Sequence, residues 1–202
     1  MQKNRKVVIL AETGIFVAIA VVLDLLFGAI YSLPMGGSIS IAMLPIFIIA
    51  ARRGWKYGLV AGALYGLVQT MIKVYFLSLP QYVMDYLVSF MVVGLAGIVP
   101  AMLKKPSRFA AGILLGSFLR LIAATLTGLL YWRAFIPDEI VFMNGLFGSD
   151  IGAIFASDDA AITFAAFLYN SLYMIPSAIL CVLVGLILHR RGVIQFHLDR
   201  TA

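Results

Sequence analysis

The sequence predicts an all-α integral membrane protein of six transmembrane helices with both termini on the cytoplasmic side. Two observations carry that expectation. The 202 residues are 63% hydrophobic and only 12% charged, with a mean hydropathy of +1.05, whereas soluble domains are roughly a quarter charged. Several apolar runs also reach the ~20 residues that a helix needs to cross a bilayer, and short basic clusters separate them. This pattern excludes a soluble enzyme, a disulfide-stapled secreted domain and a disordered chain. It also excludes a membrane β-barrel, whose strands alternate in polarity instead of being apolar on every side.

The apolar runs place helices at about 7–31, 39–51, 55–73, 81–103, 108–132 and 160–189, with boundaries good to a few residues. The second is short for a span, contains Pro45 and follows Leu33-Pro34-Met35-Gly36-Gly37-Ser38. That turn-forming stretch can line a cavity but cannot face lipid, which makes it a candidate ligand lid. Basic residues set the sidedness. Lys3, Arg5 and Lys6 precede the first helix, Arg52, Arg53 and Lys56 follow the second, Lys104, Lys105 and Arg108 follow the fourth, and Arg190, Arg191 and Arg200 follow the sixth. The positive-inside rule makes that side cytoplasmic, which requires an even number of spans. The 133–159 segment is then an extracellular loop, with Asp138, Glu139, Asp150, Asp158 and Asp159 against Arg133. Its negative sign mildly favours a cationic solute, although a merely solvated loop has the same composition. The first helix is too long for the apolar core of a signal peptide and lacks a small-residue cleavage site. No repeat or soluble domain stands out, so residues 1–202 read as a single transmembrane domain.

The chemistry is narrowed by what is scarce. One cysteine, Cys181, and two histidines, His189 and His197, make neither a disulfide framework nor a metal site. The net charge of +6 sits in topology-setting clusters and not along one face, which argues against nucleic acid as a partner. The chain has no G-x-x-x-x-G-K-[ST] phosphate loop and no nucleophile or zinc motif. It reads as neither an ATPase nor an enzyme, has no catalytic residues, and depends on a partner or an ion to power any active transport.

Charge inside hydrocarbon costs at least ~2.5–3.5 kcal/mol on insertion scales, so intramembrane ionisable residues are functional candidates. Glu12, in the first turns of helix 1, snorkels to water or pairs with a basic loop. Asp24 lies deeper and pairs with Arg120 or lines a cavity. Asp85 stands in Gln81-Tyr82-Val83-Met84-Asp85-Tyr86, and a carboxylate beside aromatic faces holds an organic cation through charge and cation–π attraction. The plainer reading of Asp85 is a first-turn carboxylate favoured by the helix dipole. Arg120, Gly128 and Trp132 fall on one broad face of helix 5, where Gly128 admits a ligand ring to the backbone and Trp132 supplies a stacking plane. Trp132 and Tyr75 equally suit an interfacial aromatic belt. Asn170 needs a partner in mid-helix, whether ligand or neighbouring helix, and Gly14-x-x-x-Ala18, with Ala11 on the same strip, allows close approach of another helix.

Four stretches together resemble a known family. They are Pro34-Met35-Gly36-Gly37-Ser38-Ile39-Ser40-Ile41-Ala42-Met43-Leu44-Pro45-Ile46; Arg52-Arg53-Gly54 with Lys56-x-Gly58-Leu59-x-Ala61-Gly62; Asp85-Tyr86; and Leu168-Tyr169-Asn170-Ser171-Leu172-Tyr173-Met174-Ile175-Pro176-Ser177. In order along nearly the whole chain, they resemble the thiamine-specific substrate-binding components of energy-coupling-factor (ECF) transporters. The resemblance implies a six-helix bundle in a bacterial cell membrane with a vitamin pocket under the loop between helices 1 and 2. It also implies docking onto an ECF transmembrane coupling subunit driven by two ATPase subunits, which alone use ATP, with no cofactor of the chain's own. Carried over by position, the implied binding residues are Asp85, Tyr86, Tyr75, Arg120, Gly128, Trp132 and Asn170, with Ser38 on the loop. The docking strip falls on Gly14 and Ala18.

Two positions depart from the family pattern: Ala124 stands where a histidine is expected and Ala165 where a tyrosine is expected. Both remove ring-contacting groups and leave volume. The expected function is therefore thiamine capture for an ECF importer. The alternatives are the same transporter class with hydroxymethylpyrimidine or a B6 vitamer as ligand, and an ion-coupled secondary transporter using Asp24, Asp85 and Arg120 as a relay.

Overall fold

A computed structural model describes residues 2–34, 36–72, 77–148, 150 and 158–195. Its regular elements are α1 (Gln2–Ile30), α2 (Leu44–Arg53), α3 (Trp55–Thr70), α4 (Leu79–Ile98), α5 (Pro106–Tyr131), α6 (Ile136–Phe147) and α7 (Asp158–Arg190). Four helical stretches, Lys6–Ile30, Leu79–Ile98, Pro106–Tyr131 and Asp159–Arg190, are long and apolar enough to cross a membrane. At 1.5 Å per residue α2 and α3 reach only about 15 and 24 Å.

The short α2 lies at the centre of the bundle. Its residues Leu44 through Ala50 are all buried, and Phe47 packs in one apolar cluster with Val17, Tyr65, Val93, Phe109 and Ile113 from four other helices. It begins at Leu44, not near residue 39, because Pro45 occupies its first turn and the preceding residues are held otherwise. Ser177 Oγ accepts from the Ser40 N–H at 3.0 Å, and Ser40 Oγ accepts from the Ala42 N–H at 3.0 Å. Gly54, at φ 88°, ends α2 and turns the chain directly into α3, a conformation that a Cβ disfavours.

Glycines let α3 lie almost backbone to backbone on α4. A Cβ at Gly62 would sit 2.1 Å from the Phe90 carbonyl oxygen, and one at Gly66 would sit 1.8 Å from that of Tyr86. Small residues at four-residue spacing are the usual means of such close approach in apolar surroundings. At the other end of this layer Glu12 of α1 accepts from Arg52 Nε at 2.5 Å and Arg53 Nε at 2.6 Å. That double pairing resolves the two readings of Glu12 in favour of a structural tie between α1 and α2.

The 133–159 segment differs from the loop expected there. After a tight turn over Arg133–Phe135 it forms α6, with Pro137, Asp138 and Glu139 in the first turn and Gly148 at φ 63° as its left-handed cap. Proline at a helix start and acids near its positive end both favour this helix. Ile136 and Met143 are fully buried and pack with Leu33, Ala165, Ala166 and Tyr169. The segment is therefore in part a packed cap and not a freely solvated connection.

Candidate binding site

Asp85 owes its position to an irregularity in α4. The helix starts with the Ser78 hydroxyl accepting from the Gln81 N–H, then widens over Val83–Val88 so that the Ser89 N–H reaches back five residues to the Met84 carbonyl. Such wide turns are common at functional sites because they rotate a side chain out of the regular face. Here the turn contains both Asp85 and Tyr86. Asp85 Oδ2 accepts from Trp132 Nε1 at 2.7 Å and from Gln81 Nε2 at 2.6 Å. Among the described residues Oδ1 accepts no hydrogen bond. The carboxylate is thus aimed from two directions while keeping one oxygen for something else.

Gln81 is the contributor that the sequence reading passed over. It is fully buried, and its Oε1 accepts from the Leu77 N–H at 3.0 Å while its Nε2 holds Asp85. The i, i+4 spacing from Gln81 to Asp85 was a visible signal of that bond. Aromatic rings flank the pair: Tyr86 lies 5.7 Å from Tyr82, and Trp132 lies 5.4 Å from Phe135, centroid to centroid.

On the facing side, α5 and α7 meet where both are narrow. A Cβ on Gly128 would stand 3.9 Å from Asn170 Nδ2 and 3.8 Å from the Ala166 Cβ. Asn170 Nδ2 donates to the Ala166 carbonyl at 2.8 Å, and its Oδ1 accepts from the Tyr173 hydroxyl at 2.7 Å. The amide is thereby held within α7. Arg120 lies over the Phe90 ring, with its guanidinium carbon 4.1 Å from the centroid. Its Nε is buried with no hydrogen-bond partner among the described residues, and Tyr173 lies within electrostatic reach of Arg120, Asp85 and Glu139 alike.

The loop after α1 covers this region. The Tyr169 hydroxyl donates to the Gly36 carbonyl at 3.1 Å, and Gly37, at φ +90°, lies against the Tyr173 ring, which a Cβ would approach to 2.6 Å. Ser38 is half-buried and pairs through its backbone with Ser32. Tyr75 lies outside the described residues. Of the two departures from the family pattern, Ala165 is fully buried under α6 and Ala124 is half-buried on α5.

Two further groups stand apart from Asp85. Asp24 Oδ2 accepts from Gln69 Nε2 at 2.8 Å, with the Tyr65 phenol beside it, and among the described residues it makes no ion pair with Arg120. That leaves the Asp24–Asp85–Arg120 relay without a continuous chain of contacts. Gly14 and Ala18 lie on the exposed side of α1, where no heavy atom of the described residues comes within 4 Å of a Cβ built on Gly14. A shallow groove of about 640 Å³ runs along α5 and α7 past Thr125, Thr163, Phe164 and Phe167; it is lined by none of the residues around Asp85.

Burial shifts one ionisable group outside the spans. Glu139 of α6 is only 9% exposed, and loss of hydration raises its carboxyl from 4.5 to about 7.

The comparisons with known proteins agree with one another. A family model described as thiamine transporter protein (Thia_YuaJ) matches residues 10–143. The chain is 33% identical over 195 residues to the thiamine transporter ThiT of Bacillus subtilis, covering 91% of each. It is 26% identical over 156 residues to the ThiT of Lacticaseibacillus paracasei, covering 68% of this chain and 74% of that protein. A solved structure of ThiT from Listeria monocytogenes shares the fold at a TM-score of 0.71 and 22% identity, covering 94% of this chain and 97% of that one. On the extent of the family match and the Bacillus relative, the chain belongs to the Thia_YuaJ family of thiamine transporter proteins.

Proposed function

We propose that this protein is the substrate-capture subunit of an ECF importer and that it binds thiamine in a pocket open to the outer face of the cell membrane. The observation that carries the reading is the pairing of Trp132 with Asp85 at 2.7 Å. It leaves a carboxylate oxygen and an aromatic face at one point, and thiamine presents a fixed cation and two flat rings to such a site. Charge and cation–π attraction act together there. Asp85 offsets the ligand's positive charge or aminopyrimidine, Trp132, Tyr86 and Tyr75 form aromatic walls, and Asn170 and Arg120 supply polar contacts. Ser38 and the rest of the loop after α1 close over the top. The orphaned Arg120 Nε supports this, since a buried donor without a partner costs about 1–3 kcal/mol unless a ligand or water meets it.

The chain spans the membrane six times in this reading, with α2 and α3 as the two short spans and both termini cytoplasmic. The basic clusters support that orientation, and Arg52 and Arg53, held on Glu12, then face inward. With no phosphate loop of its own, the protein relies on two ATPase subunits acting through a membrane coupling subunit. It carries no cofactor and performs no catalysis. The open strip of Ala11, Gly14 and Ala18 on α1 is the docking surface for the coupling subunit.

A second ligand class is favoured by Ala124 and Ala165, which remove two polar or stacking groups from the expected pocket: hydroxymethylpyrimidine or a B6 vitamer. Isothermal titration of the detergent-purified chain with thiamine, pyridoxine and free hydroxymethylpyrimidine decides between them. Tight one-to-one binding of thiamine supports the first reading. No heat with thiamine and tight binding of another ring replaces the vitamin and keeps the capture role. No binding of any of the three overturns the proposal.

A further inference from the structure

We propose that Glu139, on α6, is a second acidic ligand-binding residue, which faces the fixed positive charge of the vitamin while Asp85 engages its pyrimidine end. The inference rests on the thiamine-capture reading and assigns the cationic half of that ligand to a residue outside the family motif.

Four observations place Glu139 over the site. The face of α6 that carries Ile136 and Met143 is buried against Leu33 of the covering loop and Ala165 and Tyr169 of α7. Glu139 falls on that face at helical spacing and is itself 9% exposed. Its carboxylate accepts no hydrogen bond and meets no cation among the described residues. Yet it lies within electrostatic reach of Tyr173, whose hydroxyl is bonded to Asn170.

A largely buried carboxylate with no protein partner among the described residues is costly to the fold, and structural acids of this kind are normally paired. Position in the first turn of α6 eases the cost through the helix dipole, but burial still holds the group near 7. An organic cation supplies the missing partner. Ala165 lets α6 lie close on α7, since it is fully buried in the cluster that holds Ile136 and Met143.

The titratable groups around Glu139 are Tyr169 of α7, packed with the same face of α6, and Tyr173, which lies within electrostatic reach of Glu139, Asp85 and Arg120. On the adjoining turn Arg133 is already paired with Asp159. Among the described residues no neighbouring cation therefore neutralises Glu139 before the ligand arrives.

The test is calorimetric titration of the full chain from pH 6 to 8 with thiamine and with neutral hydroxymethylpyrimidine, on wild type and Glu139→Gln. The expected result is at least about tenfold weaker thiamine binding by Glu139→Gln at pH 8, with hydroxymethylpyrimidine affinity unchanged. Wild-type thiamine affinity should also fall as pH drops below 7, and the variant should lose that dependence. Equal thiamine affinity in the two proteins with identical pH profiles overturns the role of Glu139 and leaves thiamine capture standing. Wild type that binds no thiamine at any pH overturns both. Should Glu139→Gln fail to fold, a flat wild-type profile across pH 6–8 still refutes the assignment.

Discussion

Trp132 and Asp85 are 47 residues apart in sequence and joined by a 2.7 Å hydrogen bond from the indole N–H to Oδ2. The bond ties the C-terminal end of α5 to the widened turn of α4 and settles what Trp132 does with its polar edge, which an interfacial tryptophan would direct to the headgroups. Trp132→Phe keeps the ring and removes the donor. Thiamine affinity should fall by about 1.5–3 kcal/mol, the usual worth of a hydrogen bond to a charged group, as read by titration calorimetry. Of the two tryptophans, Trp55 lies at the start of α3, so ligand-induced fluorescence change should persist in Trp55→Phe and vanish in Trp132→Phe.

The same turn depends on the glycine seam behind it. Gly66→Ala puts a Cβ 1.8 Å from the Tyr86 carbonyl oxygen, and because the obstacle is backbone the helices must separate. A loss of about 1–3 kcal/mol or more is expected, measured as a lower thermal midpoint in detergent, together with weaker ligand binding because Tyr86 adjoins Asp85.

Glu139 couples stability to pH. Its folded value of about 7 lies above the ordinary 4.5, so its contribution is complete below about pH 4.5 and is lost as pH rises through 7. Glu139→Gln should therefore stabilise the ligand-free protein by about 1–3 kcal/mol at pH 8 and leave it unchanged at pH 5. Thermal melts at the two pH values check the sign.

Gly14 offers a separable test of docking. With no heavy atom within 4 Å of a Cβ there, Gly14→Leu should fold normally, even gaining up to about 1 kcal/mol of helix propensity, and bind thiamine unchanged. Vitamin uptake by cells carrying the variant should collapse, because the bulk blocks approach of a partner helix. Uptake equal to wild type would remove Gly14 from the docking surface.

Much of the bundle was legible because lipid demands long apolar helices with charge outside them. Trp132 and Gly128 were readable as one face of α5 by spacing alone, and Asp85 by its cost in hydrocarbon. The wide turn at Val83–Val88 was not, since no proline or glycine marks it and its close packing partner, Gly66, lies on another helix. Nor was α6, although Pro137, Asp138 and Glu139 ahead of Ile140 and Met143 carry a helix-start signal that the acidic character of the segment obscured. Gln81 escaped notice because an amide one turn from a carboxylate reads as helix surface until burial shows otherwise. Asp24 read as a partner of Arg120 or a cavity lining, and only the register of α1 on α3 selects Gln69.

The most direct measurement is thiamine binding by Asp85→Ala beside wild type, by titration calorimetry in detergent at pH 8. Removal of the carboxylate that Trp132 and Gln81 orient should weaken binding by about 2–5 kcal/mol, since the ligand loses a buried charged partner in a dry site. Unchanged affinity in a folded Asp85→Ala protein would contradict the assignment of this carboxylate to the ligand.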